Sequence, residues 1–179
     1  MSIVKQMLQK YQLTDDKSID DALREVMQEI ALAGLVRAGF FDKAAFYGGT
    51  CLKIFYDLPR FSEDLDFSLL QAQTDFSFKP YFDNLVAEFS ALGFEVEISE
   101  REKSIETAVV SAFLKKNTSI YDVSVRGKKV LKIKFEVDTE PPLGFATEEK
   151  LLLNPYSVYV KCFSLSDLYA GKMHALLFR

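Results

Sequence analysis

Residues 48–67 read GGTCLKIFYDLPRFSEDLDF, from Gly48-Gly49-Thr50 to Asp64-Leu65-Asp66-Phe67. The short apolar run Ala44–Tyr47 ahead of it predicts a strand that the two glycines stop. Thr50 is placed to cap a helix over Cys51–Tyr56, which Pro59 ends. Leu65–Leu70 then reads as a second strand. Glycines at a strand-to-helix turn let backbone N–H groups approach a phosphate closely, the helix start adds a favourable dipole, and the Thr50 hydroxyl is one more donor. A Gly-Gly turn alone is too common to select a function.

Asp64 and Asp66 carry more information. On a strand, positions i and i+2 point the same way, so both carboxylates leave one face while Leu65 and Phe67 turn to the core. Two carboxylates this close raise each other's pKa unless a cation lies between them. The hard divalent ions Mg²⁺ and Mn²⁺ match such oxygen ligands. The plain alternative is a solvated acidic patch extended by Glu63. Val130–Asp138 alternates cleanly, with Leu131, Ile133, Phe135 and Val137 on one side and Lys132, Lys134, Glu136 and Asp138 on the other. Glu136 or Asp138 beside the Asp64/Asp66 pair would supply the third carboxylate of a two-metal phosphoryl- or nucleotidyl-transfer site. Lys132 and Lys134 are either phosphate contacts or ordinary surface lysines. Arg60 and Ser62 either orient the carboxylates and touch a nucleotide, or serve as turn and surface residues.

Working outward, Ser18 opens an S-x-x-D pattern ending at Asp21. Ile19, Leu23, Val26, Met27, Ile30 and Ala33 follow at helical spacing, predicting a helix over about 19–38. Pro80 and Gly93 frame another helix with Tyr81, Leu85, Val86, Phe89 and Leu92 on its buried side. The period then changes to two: Phe94, Val96 and Ile98 alternate with glutamates, and Thr107–Leu114 and Tyr121–Val125 are further strand candidates, with a turn at Gly127 before the next strand. Pro141-Pro142-Leu143-Gly144 breaks the pattern. Val158–Phe163 is a last strand, and Ser166 is placed to cap a closing helix over Asp167–Arg179. The expected class is α+β, a mixed sheet flanked by helices.

The chain has 179 residues, enough for one domain or a domain plus a fragment. Its 22 Lys and Arg against 26 Asp and Glu give a formal net charge of −4, which excludes a uniformly basic nucleic-acid coat. Any RNA contact has to be local, and Lys115-Lys116 and Lys128-Lys129 are the basic pairs available for it. Two cysteines, Cys51 and Cys162, make neither a disulfide framework nor a zinc cage, which suits a reducing compartment. The N-terminus lacks a signal-like apolar stretch, and the run Ile30–Phe41 is interrupted by Arg37 and two glycines, so the expected location is the cytoplasm, away from membranes. His174 is the one histidine, and no G-x-S-x-G elbow accompanies it, so it reads as a plain helix position. Cys51 reads as a small packing residue. Asp64-Leu65-Asp66-Phe67-Ser68 loosely echoes the nucleophile loop of haloacid-dehalogenase-type phosphatases, but the polar run Arg60–Glu63 stands where an apolar strand is required.

The run from Gly48 to Phe67 closely resembles the first motif of the AbiEii/AbiGii-type nucleotidyltransferases, a GGT or GS turn followed about a dozen residues later by a PRFSEDLDF-like segment. The closing helix resembles a later motif of that family, A-x-K-x-x-A-L-x-x-R, at Ala170, Lys172, Ala175, Leu176 and Arg179. The likeness spans roughly Phe46 to Arg179. It implies a polymerase-β-like nucleotidyltransferase core over residues 46–165, preceded by a helical segment (1–45) and followed by the first helix of a C-terminal helical lobe (166–179). It implies a toxin of a type IV toxin–antitoxin or abortive-infection system, using Mg²⁺ or Mn²⁺ and a nucleoside triphosphate (NTP). The acceptor would be RNA, with the tRNA 3′ end in first place, and an antitoxin from a neighbouring gene would be the partner. By the same resemblance Gly48, Gly49 and Thr50 cradle the triphosphate, with Arg60 and Ser62 as the nucleotide-contact candidates read from the residues themselves. Asp64, Asp66 and Glu136 bind metal, with Asp138 as the alternative third carboxylate, and Lys172 contacts phosphates. The family motif normally continues past the helix that Arg179 ends, so the expectation includes a truncated lobe. The competing expectation is a chain that holds nucleotide or a partner without transferring anything.

Overall fold

A computed structural model describes residues 2–100, 118–125 and 131–177. The strand expected over Thr107–Leu114, the turn at Gly127, the pairs Lys115-Lys116 and Lys128-Lys129, and Arg179 lie outside the described residues. The elements, in order, are α1 (Ile3–Leu8), α2 (Asp16–Arg37), β1 (Ala44–Tyr47), α3 (Gly48–Tyr56), β2 (Asp64–Leu69), α4 (Phe82–Ala91), β3 (Val96–Glu100), β4 (Thr118–Val125), β5 (Leu131–Asp138), β6 (Thr147–Leu152), β7 (Val158–Phe163) and α5 (Leu165–Leu177). Short 3-10 turns at Phe40–Asp42 and Lys79–Tyr81 precede β1 and α4.

Among the described residues the strands form one seven-stranded sheet in the order β3-β4-β5-β2-β1-β7-β6. β2 runs parallel to β5 and β1 parallel to β7, while the other neighbours are antiparallel. The expected α+β class with a mixed sheet is what forms. One face of the central strands carries Phe46, Leu65, Phe67, Ile133, Phe135 and Val137, all essentially inaccessible. α2 packs there against β5 and β7, bringing Met27, Ile30, Leu32 and Leu35, and α4 packs on α2. Phe40 lies at the centre of this core, edge-on to Phe67 at 5.0 Å, Tyr81 at 5.1 Å and Phe78 at 5.3 Å between ring centroids. Edge-to-face contacts of this kind suit the ring quadrupoles and add to apolar burial.

Several local expectations are corrected. α2 begins earlier, and its cap is Asp15, whose carboxylate accepts the Ser18 N–H at 2.8 Å while the Ser18 hydroxyl accepts the Asp15 N–H at 3.0 Å. The capping box therefore runs Asp15-to-Ser18, with Ser18 inside the helix. α3 starts at Gly48 with Tyr47 as its cap residue and no side-chain capping bond, so Thr50 lies within the first turn and caps nothing. α5 begins at Leu165, where Ser164 and Asp167 exchange hydrogen bonds, in place of the cap expected at Ser166. Val86 is exposed on α4, and Glu88 takes its place on the buried side through an ion pair with Arg37 at 3.1 Å. Asp138 shares a face with Glu136 but is only 2% exposed, its Oδ1 accepting the Glu140 N–H. Helix α1 and strand β6 are additions.

Candidate active site

The site face is set by register. In the parallel pair β2/β5, Asp64 stands opposite Lys134, Asp66 opposite Glu136 and Ser68 opposite Asp138. The antiparallel pair β1/β2 puts Tyr47 opposite Asp66. Directly paired residues share a face, so Glu136, Asp66 and Tyr47 form one row across three strands. Leu65, Phe67, Phe135 and Val137, one position off, are buried on the opposite side. The alternation that builds the core thus also gathers the acids.

The Gly48-Gly49 turn closes over that row. Gly48 has φ of +82°, and a β-carbon there would stand 2.1 Å from Asp66 Oδ2, so both backbone conformation and space demand glycine. A β-carbon on Gly49 would lie 2.9 Å from Ser62 Oγ and 3.7 Å from Lys172 Nζ. The closing helix therefore delivers its lysine to the turn, more than a hundred residues away in sequence. With no side chain capping the start of α3, the N–H groups of its first turn are presented here as well.

Charge distribution follows from this crowding. Burial, then the nearby negative charges of Glu136 and Asp64, push the Asp66 carboxyl up to about 7, while Lys134 and Lys172 pull the other way. Burial, and then Asp66, Asp138 and Glu136, raise the Tyr47 phenol above its ordinary range. Lys134 forms an ion pair with Glu136 and a longer one with Asp64 Oδ2 at 3.5 Å. Burial opposes its charge, but those two acids outweigh burial and raise its ammonium pKa. Among the described residues no three Asp, Glu, His or Cys side chains form a group that could hold a metal ion. Asp64 and Asp66 nonetheless suit a hard cation. Mg²⁺ characteristically takes one or two protein carboxylates and completes its shell with phosphate oxygens and water. After burial, the negative charges of Glu136 and Asp64 are what raise the Asp66 carboxyl, and a cation between them would offset that part.

Of the residues singled out from sequence, Gly48, Gly49, Ser62, Asp64, Asp66, Glu136 and Lys172 come together. Thr50 is wholly buried, and its hydroxyl donates to the Asp64 carbonyl. Arg60 is exposed in the loop ahead of β2, and His174 is exposed on α5. Cys51 and Cys162 are buried as free thiols. Asp64 opens β2, whereas a haloacid-dehalogenase nucleophile follows a strand. Sequence reading passed over Tyr47 and Gln28. The second left a signal: Gln28 is a polar residue on the stripe it shares with Ala31, Leu32 and Leu35, all of them buried.

A mixed sheet with an acidic pair on one central strand, a third acid on its parallel neighbour and a Gly-Gly strand-to-helix turn above them defines a nucleotidyltransferase fold. Two solved structures share the architecture. MenT4, a nucleotidyltransferase toxin from Mycobacterium tuberculosis H37Rv, matches with a TM-score of 0.58 at 20% identity, over 96% of this chain and 56% of its own. An H. pylori protein solved as a candidate nucleotidyltransferase matches with a TM-score of 0.53 at 16% identity, over 89% of this chain and 59% of its own. The chain thus spans under three-fifths of the length of either. Comparison with curated proteins finds no match. The family model for the AbiEii nucleotidyl transferase toxin of type IV toxin–antitoxin systems matches residues 30–179, and the chain belongs to that family.

Proposed function

We propose that this protein transfers a nucleotide from an NTP to an RNA hydroxyl, with the tRNA 3′ end as the acceptor and Mg²⁺ or Mn²⁺ as the cofactor. The observation that carries this reading is the Glu136–Asp66 row lying under the Gly48-Gly49 turn with Lys172 beside it. In the reaction the acceptor oxygen bonds to the α-phosphorus, the α–β phosphoanhydride breaks, and pyrophosphate leaves. Gly48 and Gly49 amides meet the triphosphate, Ser62 and Arg60 complete its surroundings, and Lys172 sets a positive charge against its phosphates. Asp64 and Asp66 are the ligands for the divalent ion, which when bound neutralises phosphate charge and polarises the reacting oxygens. Glu136, next to Asp66, is the third carboxylate and the nearest acceptor for the hydroxyl proton. An antitoxin is the protein partner in this reading.

A second reading, nucleotide binding without transfer, is favoured by one observation: Lys134 lies between Asp64 and Glu136, the position a second cation would need. One experiment separates the two. The purified chain is incubated with each labelled NTP, Mg²⁺ or Mn²⁺ and total tRNA, beside an Asp64→Asn/Asp66→Asn variant. Label on RNA with the parent and none with the variant is the expected result. Equal label with both removes the enzymatic claim, and calorimetric NTP binding without label establishes the second reading.

A further inference from the structure

We propose that Gln28 and Thr50 are positioning residues that hold the start of β2 by its carbonyls and thereby set where Asp64 and Asp66 stand against the Gly48-Gly49 turn. Gln28 lies on α2 and is fully buried among core residues. Its Nε2 donates to two successive carbonyls, Ser62 at 2.9 Å and Glu63 at 3.1 Å. The Thr50 hydroxyl, on α3 and equally buried, donates to the next carbonyl, that of Asp64. Three consecutive carbonyls are thus each taken by a buried side-chain donor from one of two different helices. They belong to the residues that bring the chain into the site: Ser62, whose Oγ lies against Gly49, then Glu63, then Asp64 itself.

Two features separate this arrangement from ordinary packing. Segment 61–63 is neither helix nor strand, so its carbonyls have no regular ladder to satisfy them. Gln28 also leaves its Oε1 buried without a hydrogen-bond partner, a cost that an apolar side chain of similar size would avoid. What Gln28 contributes that Met or Leu cannot is its pair of N–H donors. Thr50 adds a geometric link, because it belongs to the same helical turn as Gly48 and Gly49. Its hydroxyl ties the glycine turn directly to the backbone of the first metal-ligand candidate. Gln28 ties the same backbone to the core. A nucleotide held at the turn and a carboxylate pair held on β2 then keep a fixed separation.

The consequence for turnover rests on the transferase reading; the hold on the backbone does not, and the two are measured separately. Hydrogen exchange is followed in the full chain for Gln28→Met, Thr50→Val and Thr50→Ser. The first two remove donors at nearly constant volume, and the third keeps the hydroxyl. Expected is exchange about tenfold faster at the amides of Asp64–Phe67 and at Gly48-Gly49 in Gln28→Met and Thr50→Val, with β7 amides unchanged. Thr50→Ser keeps the parent rate. Should Gln28→Met fail to fold, the Thr50 pair carries the same comparison. Parent-like exchange in both donor-deleted variants overturns the proposal. In the transfer assay, Gln28→Met lowers kcat by about 10- to 100-fold with KM for the nucleotide within about twofold. Faster exchange with parent kcat would reduce these residues to a structural role. An inactive parent would refute the transferase reading alone, leaving exchange to decide the backbone hold.

Discussion

At the scale of single residues, Asp66 is where folding and chemistry oppose each other. Its carboxyl is held near 7, chiefly by burial and then by Glu136 and Asp64, against about 3.9 for an unperturbed aspartate. The metal-free folded protein therefore keeps a proton that the unfolded chain releases. Between about pH 4 and pH 7 the unfolded state binds fewer protons, so this residue's contribution is fully present below that window and is lost as pH rises through it. The slope is at most about 1.4 kcal/mol per pH unit. In EDTA, Asp66→Asn is expected to gain stability over the parent as pH goes from 5 to 8, read as a growing difference in urea midpoint. A difference independent of pH would place the Asp66 carboxyl in the normal range. That Asp66 shares a strand face with Asp64, and that a glycine turn precedes a helix, was legible in the sequence, because D-x-D on a strand and Gly-Gly before a helix each have a direct local meaning; that the turn lies over Asp66 was not. The burial and the crowding by Glu136 were not, since they depend on which strand lies beside β2.

At the scale of elements, the α2/α4 contact shows how closely the helical layer is drawn together. A β-carbon on Gly34 would lie 3.2 Å from Glu88 Cβ and 3.3 Å from Leu85 Cδ2, and Glu88 Cβ cannot retreat without moving α4. Gly34→Leu is expected to cost about 1–3 kcal/mol through overpacking, measured by urea unfolding. No loss would mean that α4 moves freely on α2. The helices themselves were readable from the spacing of Val26, Met27, Ile30 and Leu85, Phe89. Their ends were less so, and the reason is chemical. Asp15 and Ser18 satisfy each other's backbone N–H groups as well as a Ser18–Asp21 pair would, so the residue types permit two registers. β6 escaped notice because Glu148, Glu149 and Lys150 interrupt any apolar alternation. It is a strand because β7 offers it a free edge. Ser166 was passed over as a cap because Ser164, two residues earlier, donates to Asp167, whose carboxylate also accepts the Ala146 N–H from the loop before β6.

At the scale of the whole molecule, the site joins residues from α3, β2, β5 and α5, so a ligand bridging them stabilises the fold as a unit. An NTP with Mg²⁺ at about 100 times its Kd is expected to add about 2.7 kcal/mol to unfolding stability, seen as a rise in Tm. The rise should vanish in Asp64→Asn/Asp66→Asn, and its persistence there would remove these aspartates from the ligand site. The resemblance carried by residues 48–67 and the closing helix led to the family, and the match over residues 30–179 establishes it. By itself the sequence determined the elements whose signals are local: the glycine turn, the paired aspartates, the alternation of Leu131–Asp138, and the lysine on the last helix. Only the tertiary structure decided that β2 and β5 run side by side in parallel, which brings Glu136 to Asp66. It also decided that Lys134 stands among the acids, that Thr50 turns inward to the Asp64 carbonyl, and that Gln28 reaches the loop ahead of it. Spacing along a chain specifies which residues share a face of one element. Which elements become neighbours, and which buried donors meet which carbonyls, is decided when apolar faces are packed together from distant parts of the chain.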